Sequence, residues 1–231
     1  TLDRSSAASD VYKRQTVLDR LNRHRPRPGR DRREPWRIAA KTLIHEAGDW
    51  GKAWRVVHGA IRLDDPGDGR HADRFAGLAL PGDLVGAEML IGGHYHFQAR
   101  SIVPCVLVAW PTLAEENIEQ GIQAHLLEWH RRTAQSLSLR HGTADDRLQA
   151  FIALLTQQTP VDPNGGIPLQ MPGLRDIADI TALTMETASR SITKLRQQGA
   201  LQDLGQRQFL FFPLTPVPAA QAPHNVHTLA A

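Results

Sequence analysis

The chain has 231 residues, with 27 Lys and Arg against 24 Asp and Glu, a formal net charge of +3 and a pI near 9.4. Its one cysteine, Cys105, can neither form an intrachain disulfide nor complete a multi-cysteine metal site, and no apolar run approaches the roughly 18 residues of a membrane span. The composition therefore excludes a disulfide-stapled mini-protein and predicts a cytoplasmic protein with no membrane partner.

Most of the positive charge lies at the start of the chain. Residues 1–37 hold 11 basic and 5 acidic side chains, a balance of +6, which leaves 16 basic and 19 acidic elsewhere, a balance of −3. The string DVYKRQ, residues 10–15, resembles the translated end of a sequencing adaptor, so we expect residues 1–15 to be an artefactual start. Residues 16–37 alternate Arg with Pro and Gly, which predicts a flexible basic arm.

The sequence pattern of residues 38–112 predicts an all-β barrel. From residue 42 to residue 111 the chain breaks every 6 to 12 residues at Gly, Pro or Asp, and branched or aromatic residues fill the segments between the breaks. His94 and His96 would share one face of a strand, which suits a metal or haem ligand pair. We expect them instead to be a pair of exposed loop histidines, with the metal or haem site as the alternative. No acid follows His96 closely, so the ligand pattern of a cupin-type metal enzyme is absent.

Residues 113–141 predict one long helix, because the stretch contains no Pro and carries apolar residues three or four positions apart. A helix of about 40 Å exceeds what a barrel of this size can cover, so a second copy of the helix is the natural partner for part of the stripe. The alternative is packing against its own domains only. We expect Gly121 to permit close helix approach, and His125 and Arg132 to be solvated beside the seam. The predicted dimer seam consists of Ile118, Ile122, Leu126, Trp129 and Leu137.

The sequence pattern of residues 142–215 predicts a helical domain that ends in a β-hairpin. Residues 216–231 are predicted to form a flexible tail. A helix capped by Thr143 precedes a helix, turn and helix over residues 174–180, 181–183 and 184–198, and a two-stranded wing around Gly205 follows. Glu186, Ser189 and Arg190 lie at positions i, i+3 and i+4, and hence on one polar face of the last helix. An ordinary solvated helix face is the alternative. The fold class that we expect is α+β.

Two groups of segments carry a resemblance to a known family. TLIHEAGDWGKAWRVVHGAIRL and LPGDLVGAEML resemble the sensor barrel of the Crp/Fnr superfamily, while LTMETASRSITKLRQQGAL resembles the recognition helix of its fumarate–nitrate branch. The Glu-x-x-Ser-Arg signature of that branch matches Glu186, Ser189 and Arg190. Over residues 40–213 the resemblance implies a cyclic-nucleotide-binding-like β-roll barrel, a dimerisation helix and a winged helix-turn-helix. It also implies a homodimeric transcription regulator with double-stranded DNA and RNA polymerase as partners, and no enzyme activity.

The resemblance further implies a TTGAT-like half-site, repeated as an inverted pair. Arg190 can donate two hydrogen bonds to guanine, and Glu186 can accept one from cytosine. Two positions depart from the family pattern: Gly173-Leu174 replaces Thr-Arg at the first helix, and Ala182 stands where the turn has Gly. The candidates for phosphate contacts are Arg175, Thr187, Lys194, Arg196 and Arg207.

The effector of the barrel is unknown. The cyclic-nucleotide pocket of the family uses Gly-Glu-Leu and then Arg-Ser, whereas Ala87 follows Gly86 here and residues 93–96 read Gly-His-Tyr-His, which disfavours cyclic AMP. A single cysteine excludes an iron–sulfur cluster. A haem or metal sensor with weakened DNA binding remains as the alternative function. The candidate pocket residues are Gly86, Ala87, Glu88, His94 and His96.

Overall fold

The computed structural model describes residues 34–67, 74–110 and 118–213. The chain divides into two compact units, one ending at Trp129 and the other beginning at His130. Within these ranges no helix is long and apolar enough to cross a membrane. The predicted artefactual start, most of the basic arm and the predicted tail lie outside the described residues.

The first unit contains two four-stranded antiparallel sheets, with strand orders β1-β8-β3-β6 and β2-β7-β4-β5. Alternating side chains point between the sheets and form the core, in which Val56, Ile61, Ala99 and Leu107 are almost fully buried. The all-β prediction for this segment is confirmed. The strands are β1 Trp36–Ile38, β2 Leu43–His45, β3 Ala53–His58, β4 Ile61–Asp65, β5 Arg74–Ala79, β6 Leu84–Val85, β7 Gln98–Ser101 and β8 Cys105–Trp110.

Strand β1 corrects the predicted end of the basic arm. The sequence pattern places residues 36 and 37 in the arm, yet Trp36 pairs with Leu107 of β8 and its ring centroid lies 5.1 Å from that of Trp54. The half-buried Trp36 side chain and the strand hydrogen bonds stabilise this segment in spite of its basic neighbours. The barrel therefore begins two residues earlier than predicted.

Helix α1 covers Ile118–Ser138, within the predicted range of 113–141. Residues 111–117 lie outside the described residues, and the helix ends three residues before the predicted boundary. A Cβ atom on Gly121 would lie 2.7 Å from Cζ2 of Trp110, so Gly121 permits close packing of α1 on β8 of its own unit. The close approach predicted for Gly121 therefore involves the barrel.

The predicted solvation of His125 and Arg132 is wrong. Arg132 is 3% exposed and donates to Oε1 of Gln135 at 2.9 Å, while Nδ1 of His125 is buried. Burial lowers the pKa of His125, with a smaller contribution from the nearby charge of Arg55. Both side chains face their own unit, because each unit packs against its part of α1.

Besides the C-terminal part of α1, the described residues of the second unit form three helices and a three-stranded antiparallel sheet of order β10-β11-β9. The capping box predicted at Thr143 is present, and both helices of the predicted pair lie within a residue or two of their expected bounds. Strand β9 extends the predicted two-stranded wing. The elements are α2 Ala144–Thr156, β9 Ile167–Gln170, α3 Leu174–Thr181, α4 Met185–Gln197, β10 Leu201–Gly205 and β11 Gln208–Phe211.

Candidate DNA-binding surface and sensor barrel

Helices α3 and α4 are joined by a tight turn at Ala182. This residue has φ 51° and ψ 44°, the left-handed conformation that favours Gly. The turn is closed by a hydrogen bond from N of Leu183 to O of Ala178 at 2.9 Å, and Arg147 of α2 donates to the carbonyls of Thr181 and Ala182. The sequence analysis missed Arg147, whose cation also suits the carbonyl end of α3.

The side chain of Thr184 caps the first turn of α4, as predicted, by accepting a hydrogen bond from N of Thr187 at 3.1 Å. The hydroxyls of the two threonines also share a hydrogen bond of 2.9 Å. The phosphate-contact candidate Thr187 is therefore half-buried and engaged in the cap. The capped turn fixes the direction in which α4 leaves the turn.

The structure places Glu186, Ser189 and Arg190 together on one exposed face of α4. Ala188, Ser191 and Leu195 lie on the opposite, buried face. Nη2 of Arg190 lies 2.5 Å from Oε1 of Glu186, and both side chains are more than 70% exposed. This face presents one guanidinium, one carboxylate and one hydroxyl, which are groups that recognise base edges in the major groove.

The other two cations of α4 form ion pairs within the second unit. Nζ of Lys194 pairs with Oδ2 of Asp145 in the first turn of α2, and Nη2 of Arg196 lies 2.8 Å from Oδ2 of Asp203 in β10. Oδ1 of Asp145 also accepts a 2.7 Å hydrogen bond from the buried Ser191. Hydrogen bonds from Lys194 and Ser191 lower the pKa of Asp145. These carboxylate partners could not be recognised from the sequence.

The last two phosphate-contact candidates, Arg175 and Arg207, lie near the N-terminal end of α3. Arg175 is exposed in the first turn of this helix. Arg207 lies in the left-handed turn of the wing, and its Nη1 is 3.7 Å from the position that a Cβ atom on Gly173 would occupy. Gly173 has no side chain with which to cap α3. Two arginines therefore lie near the N-terminal end of α3, which is the positive end of its dipole.

In the barrel, Tyr95 lies against the candidate pocket residue Gly86. Gly86 is left-handed, with φ 74°, and Ala87 begins a short 3₁₀ helix that ends at Ile91. A Cβ atom on Gly86 or on Gly51 would collide with the Tyr95 ring, and the Tyr95 hydroxyl bonds to both N and O of Lys52. Burial raises the pKa of Tyr95 to about 12. Tyr95 thus ties two loops together.

The prediction that His94 and His96 are exposed loop histidines is confirmed, because residues 92–97 form a loop that the buried Tyr95 anchors. The alternative, a ligand pair on one face of a strand, does not fit this loop. Both histidines are exposed and have different neighbours. The ring of His94 lies 4.2 Å from that of Trp50, while Nδ1 of His96 lies 3.9 Å from Oε1 of Glu88. Within the described ranges no group of three His, Cys, Asp or Glu residues is arranged to hold a metal ion.

The sequence analysis also missed His45 as a partner of Tyr95. The two rings stack at a centroid distance of 3.6 Å, and both ring nitrogens of His45 are buried without a hydrogen bond. Burial lowers the pKa of His45 to about 4. The imidazole is therefore neutral at pH 7, and it packs from the end of β2 against Tyr95 of the loop.

The described members of the predicted dimer seam are exposed on α1. Ile122 and Leu126 have exposed fractions of 40% and 55% in the first unit, and Leu137 has one of 61% in the second. Trp129 is 37% exposed, and the neighbouring Leu127, which the prediction omitted, is the most exposed of these residues. The side chain of Ile118 lies outside the described residues. Five large apolar side chains, with Leu127 among them, are therefore exposed along α1.

Comparison with known proteins identifies relatives of the chain. The family model "Bacterial regulatory proteins, crp family" matches residues 175–201, which begin in α3 and end in β10. The nitrogen fixation regulation protein FixK of Rhizobium meliloti is 31% identical over 166 residues, which cover 69% of this chain and 75% of FixK. FixK of Bradyrhizobium diazoefficiens is 30% identical over 178 residues, 71% of each chain.

Two solved structures resemble the fold. FixK2 from Bradyrhizobium japonicum superposes with a TM-score of 0.58 and 25% identity, covering 77% of this chain and 91% of FixK2. A Crp-family transcriptional regulator from Thermus thermophilus has a TM-score of 0.62 and 24% identity, covering 80% of this chain and all of that one. These matches confirm the α+β fold class, with a cyclic-nucleotide-binding-like barrel and a DNA-binding winged helix-turn-helix. The chain therefore belongs to the Crp/Fnr family of bacterial transcriptional regulators.

Proposed function

We propose that the protein binds an inverted repeat of TTGAT-like half-sites as a homodimer, with α4 of each subunit in the major groove. The observation that carries this proposal is the exposed face formed by Glu186, Ser189 and Arg190 in the first two turns of α4. A helix-turn-helix protein reads base edges with the N-terminal residues of its second helix. Arg190 would recognise the half-site guanine, Glu186 a cytosine, and Ser189 would make a short adaptable contact.

Phosphate contacts would set the register of α4 without specifying sequence. Arg175 and Arg207 are the best placed candidates, since both accompany the N-terminal end of α3, where the helix dipole also attracts an anion. Thr187, Lys194 and Arg196 are further candidates, but each is engaged within the second unit. DNA would have to compete with these internal contacts.

Dimerisation would cover the exposed seam of α1. A two-fold dimer presents two copies of α4 to a palindromic site, which a monomer cannot do. Introducing a charge with Leu126→Glu should convert the dimer to monomer in sedimentation velocity and abolish binding to the full site. The matched control is Glu128→Gln, which changes a neighbouring charge on the same helix without adding one to the seam.

The barrel would act as a sensor whose occupancy biases the arrangement of the two α4 helices. Its effector is unknown, and Gly86, Ala87, Glu88, His94 and His96 are the candidate contacts. The family relationship supports a cytoplasmic regulator that acts on transcription by RNA polymerase. Binding of haem would be tested by titration, with a Soret shift that His94→Ala and His96→Ala remove as the positive result.

The base-reading assignment is tested by measuring affinity for duplexes with single base changes. Arg190→Ala should lower affinity for the intact site and remove the preference for the half-site guanine, a discrimination of about 1–3 kcal/mol per contact. Arg74→Ala removes an exposed arginine of the barrel and should leave both properties unchanged. If Arg190→Ala retains the guanine preference, the assignment is wrong.

A further inference from the structure

All three cations of α4 have carboxylate partners within the second unit. Arg190 pairs with Glu186 on the same helix, Lys194 with Asp145 and Arg196 with Asp203. Residues 174–207 hold 5 basic and 4 acidic side chains, a balance of only +1. Phosphate contacts dominate non-specific affinity for DNA, and within residues 174–207 only Arg175 and Arg207 lie outside these ion pairs of α4.

The carboxylate of Asp145 is the least exposed of the three, at 28% against 36% for Asp203 and 73% for Glu186. One oxygen accepts from the hydroxyl of Ser191, which is 5% exposed, and the other pairs with Lys194. Asp145 also lies in the first turn of α2, where the helix dipole stabilises a negative charge. Asp145 is therefore a fixed counter-charge that DNA cannot easily displace.

We propose that Asp145 is a specificity-determining residue, which neutralises Lys194 within the domain and so keeps binding dependent on base contacts. This inference rests on the proposed DNA-binding function. An unpaired Lys194 would add a phosphate contact to every sequence alike, which raises non-specific and specific binding together. With Lys194 paired, the contacts of Glu186, Ser189 and Arg190 supply a larger share of the binding free energy.

The test is the variant Asp145→Asn, which keeps an oxygen for the Ser191 hydroxyl and removes the negative charge. Binding to the TTGAT-like inverted repeat and to a scrambled duplex of equal length is measured at several salt concentrations. We expect tighter binding to the scrambled duplex and a smaller specificity ratio. The slope of log K against log salt should steepen by about 0.9 for each added phosphate contact, or about 1.8 for a dimer.

Two further variants isolate Lys194 as the cause. Glu46→Gln makes the same change in net charge on an exposed residue of the barrel and should leave the slope unchanged. Lys194→Gln alone should have little effect on the scrambled duplex, yet in the double variant with Asp145→Asn it should abolish the gain. Far-UV circular dichroism and thermal unfolding establish that each variant is folded.

Three outcomes would overturn the inference: a slope for Asp145→Asn equal to that of Glu46→Gln, a gain that persists without Lys194, or loss of specific binding with no non-specific gain. The last outcome would mean that Asp145 only positions α4. A wild-type protein that binds neither duplex would instead contradict the proposed function. Asp203→Asn, which frees Arg196, applies the same test to the second pair and should give a smaller effect, because that pair is more exposed at its carboxylate.

Discussion

Replacing Ala182 by Gly should stabilise the second unit. The left-handed conformation at φ 51° costs a residue with a Cβ atom about 1–2 kcal/mol, and Gly escapes this cost. The greater conformational freedom of Gly in the unfolded chain lowers the free energy of unfolding by about 0.4–1 kcal/mol and so offsets part of this gain. Ala182 is exposed, so its methyl group contributes little burial. The net expectation for Ala182→Gly is a gain of about 0.5–1 kcal/mol in the free energy of unfolding.

The assay is urea unfolding followed by far-UV circular dichroism, which detects the helices of the second unit. All five tryptophans precede residue 130, so their fluorescence reports on the first unit and should not change. The matched control is Gly199→Ala, at φ 74° and with no atom within 4 Å of the added methyl group, which should lose a similar amount. A lower unfolding midpoint for Ala182→Gly, or a higher one for Gly199→Ala, would refute the reasoning.

Three other substitutions test the packing and the capping. Gly121→Ala should cost about 1–3 kcal/mol, because the added methyl group meets the Trp110 ring, and tryptophan fluorescence during unfolding measures the loss. Thr143→Ala should cost about 1 kcal/mol, seen by circular dichroism, since it removes the capping box of α2. His45→Phe should keep the stack on Tyr95 and flatten the pH dependence of stability. The unfolded chain takes up a proton on His45 below pH 6.5 and the folded protein does so only near pH 4, so the wild type loses about 2 kcal/mol between pH 7 and pH 5.

Each of these substitutions has a matched control. Gly77→Ala adds a methyl group where no atom lies within 4 Å, so it should cost nothing and gain about 0.4–1 kcal/mol from the reduced freedom of the unfolded chain. Thr143→Ser keeps the capping hydroxyl and should retain most of the stability. His58→Gln removes an exposed histidine of β3 and should leave the acid branch of the stability profile as in the wild type. An unchanged acid branch in His45→Phe would contradict the account of His45.

The helix-turn-helix could be predicted because its signals are local. Thr143 and Thr184 mark helix starts by capping the next turn, and Gly199 marks the end of α4, so a few neighbouring residues determine each boundary. The spacing of Glu186, Ser189 and Arg190 places them on one face of any helix. Their identity with the family signature then indicated the function, which bulk charge could not.

The contacts that escaped prediction join residues far apart in the sequence. Lys194 pairs with a carboxylate 49 positions away, and His45 stacks on a tyrosine 50 positions away. Residues so far apart in the sequence are not linked by helix or strand periodicity, so no sequence pattern indicates their contact. Gly121 illustrates the same limit: the sequence predicted close approach of another helix, whereas the close neighbour in the structure is the Trp110 ring of the barrel. The loop at His94 and His96 was predicted, but only the structure shows that Tyr95 between them anchors it.

The most direct measurement of the central claim compares two duplexes that contain the same two TTGAT-like half-sites, arranged as an inverted repeat or as a direct repeat. Both duplexes have equal composition, length and phosphate charge, so only the symmetry differs. A two-fold dimer that reads each half-site with α4 should bind the inverted repeat with much higher affinity, as one dimer per duplex, and Arg190→Ala should remove the difference. Equal affinity for the two duplexes, or a preference that survives Arg190→Ala, would contradict the account.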